Sequence, residues 1–184
     1  DAAMAAGRGA TAEQKAAARG ALVVGVATDD QNPLSEASSF QLTYGSDRTI
    51  TSSKYVLLSE LALSLIEKQS SADSVARTRA ALDLVPSATV AATEAAEDQL
   101  AQLAKDYAGA DNIFVLASGP LSGLAYLLSV CYFVEMQWKK STHFTTGDFF
   151  HGPFELATAD QPYILFSGAD ATHAHADRAR TFLD

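Results

Sequence analysis

Cysteine is nearly absent: Cys131 stands alone among 184 residues. That excludes a disulfide framework within the chain and any multi-cysteine metal site. Basic residues are scarce too, 13 Lys and Arg against 22 Asp and Glu, for a formal net charge of −9. Nucleic-acid-binding surfaces are normally basic, so the balance argues against one, while a local basic cleft for an anionic metabolite stays open. No stretch joins a basic n-region to a long apolar core, so none reads as a signal peptide. The apolar run from Leu121 to Met136 is short for a membrane span and holds Ser122, Ser129 and Glu135. It reads as a buried core helix of a globular domain. Cys131 lies in that run and reads as a small buried hydrophobe rather than a catalytic thiol. These features fit a soluble protein of the cytoplasm.

Apolar residues make up 48% of the chain and charged residues 19%, ordinary values for a globular protein. The length allows one good core or two small lobes. An Ala-rich helical pattern runs to Arg19, and Gly20 ends it as a C′ glycine. Ala21–Ala27 is a short Val-rich run, read as a buried parallel strand, and Phe40–Tyr44 alternates as an outer strand. Ser46–Lys54 reads as a polar loop before a helix over Tyr55–Lys68. A break at Ser70–Asp73 leads to a helix over Ser74–Leu84, and Pro86-Ser87 is a boundary before a helix over Ala88–Tyr107. Ile113–Ala117 is the second clear strand, and Ser118-Gly119-Pro120 a tight turn into the apolar helix, which runs to about Lys140. Thr142–Thr145 and Pro162–Ser167 read as further strands around a loop and short helix at Asp148–Leu156. Ala171–Leu183 is an amphipathic helix.

Strands alternating with helices imply an α/β fold, parallel sheets flanked by helices in three layers. The chain starts without Met inside one helical pattern and stops inside another, so two partial lobes, incomplete at both ends, are expected. Residues 1–73 form the first, 74–107 the connecting helices and 108–184 the second.

One carboxylate, Glu135, interrupts the apolar run, and a buried carboxylate is paired, neutralised or used. Sixteen positions on, His151 sits in a loop fixed by Gly152 and Pro153. The two form a candidate acid–base pair, set against a Glu135–Lys139 ion pair and a structural imidazole. Asp148 and Glu155 flank His151, and either could orient it. Ser118 and Gly119 open a helix directly after a strand, suited to an anion or a sugar hydroxyl, or to plain capping. Thr51, Ser52, Ser53 and Lys54 gather hydroxyls and an ammonium at a helix start, which suits a phosphate or is a solvated cap. His143 reads as structural or exposed. His173-Ala-His175 lacks a third ligand, so no metal site is assigned.

These pieces resemble a family. Gly20-Ala-Leu-Val-Val-Gly-Val-Ala-Thr28 with Asn32-Pro33-Leu34 looks like the second half of a sugar isomerase (SIS) domain. Thr51-Ser-Ser-Lys54 looks like the segment that begins its linker helix, and Phe114–Leu121 like the opening of a second SIS domain. Glu135-Met-Gln-Trp138 and Asp148-Phe-Phe-His-Gly-Pro-Phe-Glu155 look like signatures of that second domain. Within the double-SIS group the wording is most similar to fructosamine-6-phosphate deglycases. The isomerase domain of glucosamine-6-phosphate synthase is related but carries a lysine where this chain has Tyr132. Asp148 stands where the family usually has Glu.

The resemblance implies a phosphorylated ketosamine or sugar substrate, with Glu135 and His151 as catalytic groups. Ser52, Ser53, Lys54, Ser118 and Gly119 would contact substrate. It implies no metal or organic cofactor, and a homodimer or higher homo-oligomer in which His151 is contributed by a neighbouring copy. Aldose–ketose isomerisation and a non-catalytic sugar-phosphate sensor are the alternatives.

Overall fold

The computed structural model describes residues 12–45, 50–69 and 73–184, with Glu13 described by its backbone alone. The helical pattern before Ala12, part of the Ser46–Lys54 segment (46–49) and most of the Ser70–Asp73 break (70–72) lie outside these residues. The chain forms two compact units, Asp1–Ala95 and Ala96–Asp184.

In the first unit, helix α1 (Ala12–Ala18) ends where Gly20 takes φ 79°. The Ala21 N–H then donates to Ala16 O at 3.1 Å, closing a left-handed cap that favours glycine. Strand β1 (Val24–Ala27) pairs in parallel with β2 (Phe40–Thr43), from Val24 opposite Phe40 to Ala27 opposite Thr43. Helix α2 (Pro33–Ala37) makes the crossover. Asn32 caps it by accepting from the Ser35 N–H at 3.1 Å, and Pro33 takes the first turn, where its missing N–H costs nothing.

Helix α3 spans Ile50–Gln69, so residues 50–54 belong to a helix and not to the polar loop expected from sequence. Helix α4 (Asp73–Leu82) closes on α3 around Leu63, Val75 and Leu82. Arg79 of α4 reaches Glu60 at 2.9 Å and Glu67 at 3.3 Å, two carboxylates seven residues apart on α3. Helix α5 (Val85–Asp106) starts before Pro86, which is inside its first turn rather than a boundary.

In the second unit, β3 (Ile113–Ala117) is buried along all five residues. It pairs in parallel with β4 (Ser141–Thr145) on one edge and β5 (Tyr163–Leu165) on the other, in the order β4-β3-β5. Period-two alternation splits β3 between two cores. Ile113, Val115 and Ala117 face a helical segment made of a 3-10 turn (Gly119–Leu121), helix α6 (Ser122–Tyr126) and a π-helical stretch (Leu127–Met136). Leu116 faces Phe149 and Ala179, carried by α7 (Thr146–Phe149) and α8 (His173–Leu183). Helices thus cover both faces of a parallel sheet, giving the three-layer α/β/α arrangement.

The apolar helical segment departs from its sequence reading. Gly119–Met136 is long and apolar enough to cross a membrane by length and composition. One stripe of it, Leu121, Ala125, Leu128 and Phe133, packs on β3. Ser129 on the same side meets the Ser141 hydroxyl at 2.9 Å. Only Ala125 and Ser129 are fully buried, while Tyr126, Val134 and Met136 are exposed. The segment is a one-sided layer here, not a helix buried all round.

Candidate functional site

Parallel strands direct their C-terminal ends, and the loops that follow them, to one edge of a sheet. With the order β4-β3-β5 the connections leave β3 in opposite directions, which opens a crevice between the ends of β3 and β5. Ser118 and Gly119 lie on one side of it. Ser118 makes no capping hydrogen bond; its hydroxyl meets that of the buried Thr146. Gly119 adopts φ 56°. The β5–α8 loop approaches from the other side, where Asp170 accepts from the Thr172 hydroxyl at 2.6 Å and the Thr172 N–H at 2.7 Å. These bonds hold the Asp170 carboxyl below the usual carboxylate range.

His173 is used within that loop. Its Nδ1 donates to Gly168 O at 2.9 Å, and its Nε2 is 3.2 Å from Asp177. Among the described residues no group of three His, Cys, Asp or Glu side chains could hold a metal ion.

Glu135 comes at the end of the π-helical stretch, exposed, with no hydrogen-bond or ion-pair partner among the described residues. The ion pair with Lys139 does not form. Trp138 turns the chain with φ 55°, the Lys139 N–H donates to Phe133 O at 2.9 Å, and the Lys139 ammonium reaches Ala108 O at 2.6 Å. A π-helix is rare and concentrates at functional sites, as does a non-glycine residue at positive φ. The burial that sequence reading assigned to Glu135 is absent.

His151 is presented by aromatic anchors on either side of it. Phe149 is fully buried, with ring centroids 5.1 Å from Phe150 and 5.8 Å from both Tyr163 and Phe182. Phe154 packs on Phe182 at 5.9 Å. Between these anchors the loop turns at Gly152, whose φ of 134° is open to glycine. The His151 ring is exposed and has no hydrogen-bond partner among the described residues. Asp148 does not orient it, since the Asp148 carboxylate accepts from the Thr145 hydroxyl at 2.8 Å.

Glu135 precedes β4 and His151 follows it, so the two approach from opposite ends of that strand. No hydrogen bond or ion pair joins them within one chain among the described residues. In the first unit, Ser52 and Ser53 fall in the first turn of α3 and Lys54 opens the second. The Lys54 ammonium stands 5.6 Å from the Tyr44 ring centre, and the Tyr44 hydroxyl accepts from Thr28 at 3.1 Å. Lys54 is thereby drawn to the C-terminal ends of β1 and β2.

Sequence comparison adds a second kind of observation. No family model matches the chain. A fructosamine deglycase of Bacillus subtilis (strain 168) is 28% identical over 166 residues, covering 89% of this chain and 51% of the relative. A fructoselysine 6-phosphate deglycase of Escherichia coli (strain K12) is 25% identical over 167 residues, covering 89% and 48%. The chain spans about half the length of the curated relatives it matches. Among solved structures, a Bacillus subtilis chain assigned provisionally as a phosphosugar isomerase superposes with a TM-score of 0.84 at 27% identity, over 92% of this chain and 52% of that one. The C-terminal domain of a Francisella tularensis glucosamine-fructose-6-phosphate aminotransferase superposes with a TM-score of 0.81 at 12% identity, over 93% and 50%, a likeness of fold alone.

The chain is similar to these deglycases over 89% of its length.

In the second unit, sequence reasoning left Thr146 and Ser122 without a role and read His143 only as structural or exposed. Thr146 is buried and holds Ser118. His143 and Ser122 line a pocket with Thr145 and Asp148. The signal for His143 was the alternation of β4, which puts Ser141, His143 and Thr145 on the face towards α6. That signal is readable only once the strand's register is known.

Proposed function

We propose that this chain belongs to a sugar-phosphate enzyme that cleaves a fructosamine 6-phosphate to a hexose 6-phosphate and an amine. The observation that carries the reading is Glu135, an exposed carboxylate without a partner among the described residues, in a chain resembling deglycases over 89% of its length. A carboxylate left unpaired beside apolar side chains is available as a base.

In the proposed chemistry the Glu135 carboxylate removes a proton from C1 of the open-chain ketosamine. The electron pair moves into a C1–C2 double bond, and the ketone oxygen takes a proton from His151 or solvent to become an enol hydroxyl. Return of the proton to C2 makes C1 an imine carbon. Water adds to that imine, the C1–N bond breaks, and the amine leaves with a hexose 6-phosphate. His151, contributed by a second copy, assists ring opening or protonation. The substrate's own carbonyl and nitrogen stabilise the intermediate, so the step calls on no cofactor. Within the second unit, Ser118 and Gly119 supply donors for a sugar hydroxyl or phosphate; within the first, Ser52, Ser53 and Lys54 offer the same chemistry. The reading assigns residues 1–73 to a first SIS domain, 74–107 to connecting helices and 108–184 to a second SIS domain. It describes a homo-oligomer of the cytoplasm.

A second reading is aldose–ketose phosphosugar isomerisation, favoured by the likeness to the Bacillus subtilis chain provisionally assigned that activity. It uses the same C1–C2 proton transfer without amine release. The test is an assay of the full-length protein against a panel of 6-phosphorylated fructosamines, reading hexose 6-phosphate. Glu135→Gln should lower kcat by about 10²- to 10⁴-fold while sugar-phosphate binding persists. Undiminished turnover in that variant overturns the reading.

A further inference from the structure

The surface beside Glu135 is apolar and uncovered. Trp138, three residues on, is 91% exposed, and Met136 is 69% exposed. The Trp138 ring meets no aromatic ring, no cation and no hydrogen-bond acceptor among the described residues. Its backbone stands directly after Gln137, the C-cap of the π-helical stretch, with φ 55°. Glycine is the usual occupant of a left-handed position just past a helix end, because a Cβ is crowded there. Trp138 thus joins a strained backbone to a side chain that gives almost no packing to its own fold, the combination found where strain serves a function. The turn is held by the Lys139 N–H, 2.9 Å from Phe133 O. The Lys139 ammonium is engaged by Ala108 O at 2.6 Å, so it neutralises neither Glu135 nor the ring face.

One turn of chain therefore presents an unpaired carboxylate and an open indole at the same end of β4, the end that the chain enters at Ser141. An aromatic face carries the negative lobe of a quadrupole, and a carboxylate carries a full negative charge. Both attract a cation and neither suits a phosphate. A metal ion is the poorer fit, because one carboxylate falls short of the three protein ligands a catalytic site uses. An organic ammonium fits better, since its charge meets the ring face and its carbon arm covers apolar surface. In a ketosamine phosphate that cation is the secondary amine, and its nitrogen is bonded directly to C1. Whatever reaches C1 has the nitrogen beside it, and in the reading above Glu135 is that group.

We propose that Trp138 forms the subsite for the protonated amine and the carbon arm it carries, and so separates ketosamine phosphates from amine-free sugar phosphates. The proposal rests on the deglycase reading and concerns specificity, distinct from the proton transfer assigned to Glu135. The ammonium lies over the indole face and the arm extends towards Met136. A ketose phosphate has a neutral hydroxyl on C1 and no arm, so it gains little from the ring.

The experiment uses the full-length protein with fructoselysine 6-phosphate as substrate and fructose 6-phosphate as competitive inhibitor. Trp138→Leu, which keeps apolar bulk without the ring, raises KM for the ketosamine about 5- to 30-fold with kcat within about threefold, while Ki for fructose 6-phosphate stays within about twofold. Trp138→Phe, which keeps a ring, recovers most of the loss. Trp138→Gly shows the same rise in KM together with a higher thermal midpoint, because the left-handed backbone is relieved and little packing is lost. An unchanged KM in Trp138→Leu, KM and Ki rising together, or a lower thermal midpoint in Trp138→Gly overturns the proposal while the deglycase reading stands. An oligomer that dissociates in Trp138→Leu assigns the ring to a contact between copies and overturns it too. A wild-type protein that releases no hexose 6-phosphate from ketosamine phosphates overturns both.

Discussion

Gly119 and Thr172 meet where the ends of β3 and β5 face each other, so closely that a methyl group does not fit between them. A Cβ on Gly119 would stand 2.9 Å from both the Thr172 methyl and hydroxyl, and φ is 56°. Gly119→Ala therefore incurs a positive-φ cost and a steric one, and the β5–α8 loop must shift. A loss of about 1–3 kcal/mol of stability is expected, measured as a lower denaturant midpoint at unchanged slope. A variant as stable as wild type would show that the loop moves freely.

Glu135 and His151 enter from opposite ends of β4, which favours a site built by two copies of the chain. In full-length protein, Glu135→Gln and His151→Asn should each be inactive alone. Mixed after unfolding and refolded together, random pairing into symmetric dimers should recover about a quarter of wild-type activity, because half the dimers are mixed and each keeps one intact pair. No recovery, with mixed dimers demonstrated by mass, would place both groups in one copy.

Asp170 sets a pH dependence. The Thr172 hydroxyl, then its N–H, lower the Asp170 pKa on folding. A carboxyl depressed in this way stabilises the fold above its unfolded pKa of about 4, and the contribution fades as pH falls through the folded value. Asp170→Asn lacks it. The gap in thermal midpoint between wild type and variant should be widest near neutrality and close below about pH 4. A gap that stays constant down to pH 2 would assign the effect to packing.

The parallel strands were legible because their signal is local. Ile113–Ala117 is five apolar residues ending in a Ser-Gly-Pro turn, and no other element accommodates that pattern so well. The C′ role of Gly20 and the turn at Gly152 were legible for the same reason, since each rests on one residue's backbone freedom. The start of α3 was missed because Thr51, Ser52 and Ser53 are turn-formers by composition, and the helix runs through them. Pro86 was misplaced because the first turn of a helix tolerates a missing N–H.

Residue identity alone settled which groups this protein has to work with: a carboxylate in an apolar run, an imidazole between aromatics and a Gly-Pro turn, and hydroxyls beside a glycine. Whether they are buried, paired or free was decided by tertiary structure. Glu135 is exposed because the segment that carries it lays only one stripe on β3, and its partnership with Lys139 fails because Trp138 turns the chain. Asp148 is fixed by Thr145 rather than by His151, and His143 lines a pocket because the pleat of β4 aims it at α6. Such outcomes depend on which faces meet across a sheet, and on hydrogen bonds between residues far apart in sequence, neither of which a linear pattern encodes.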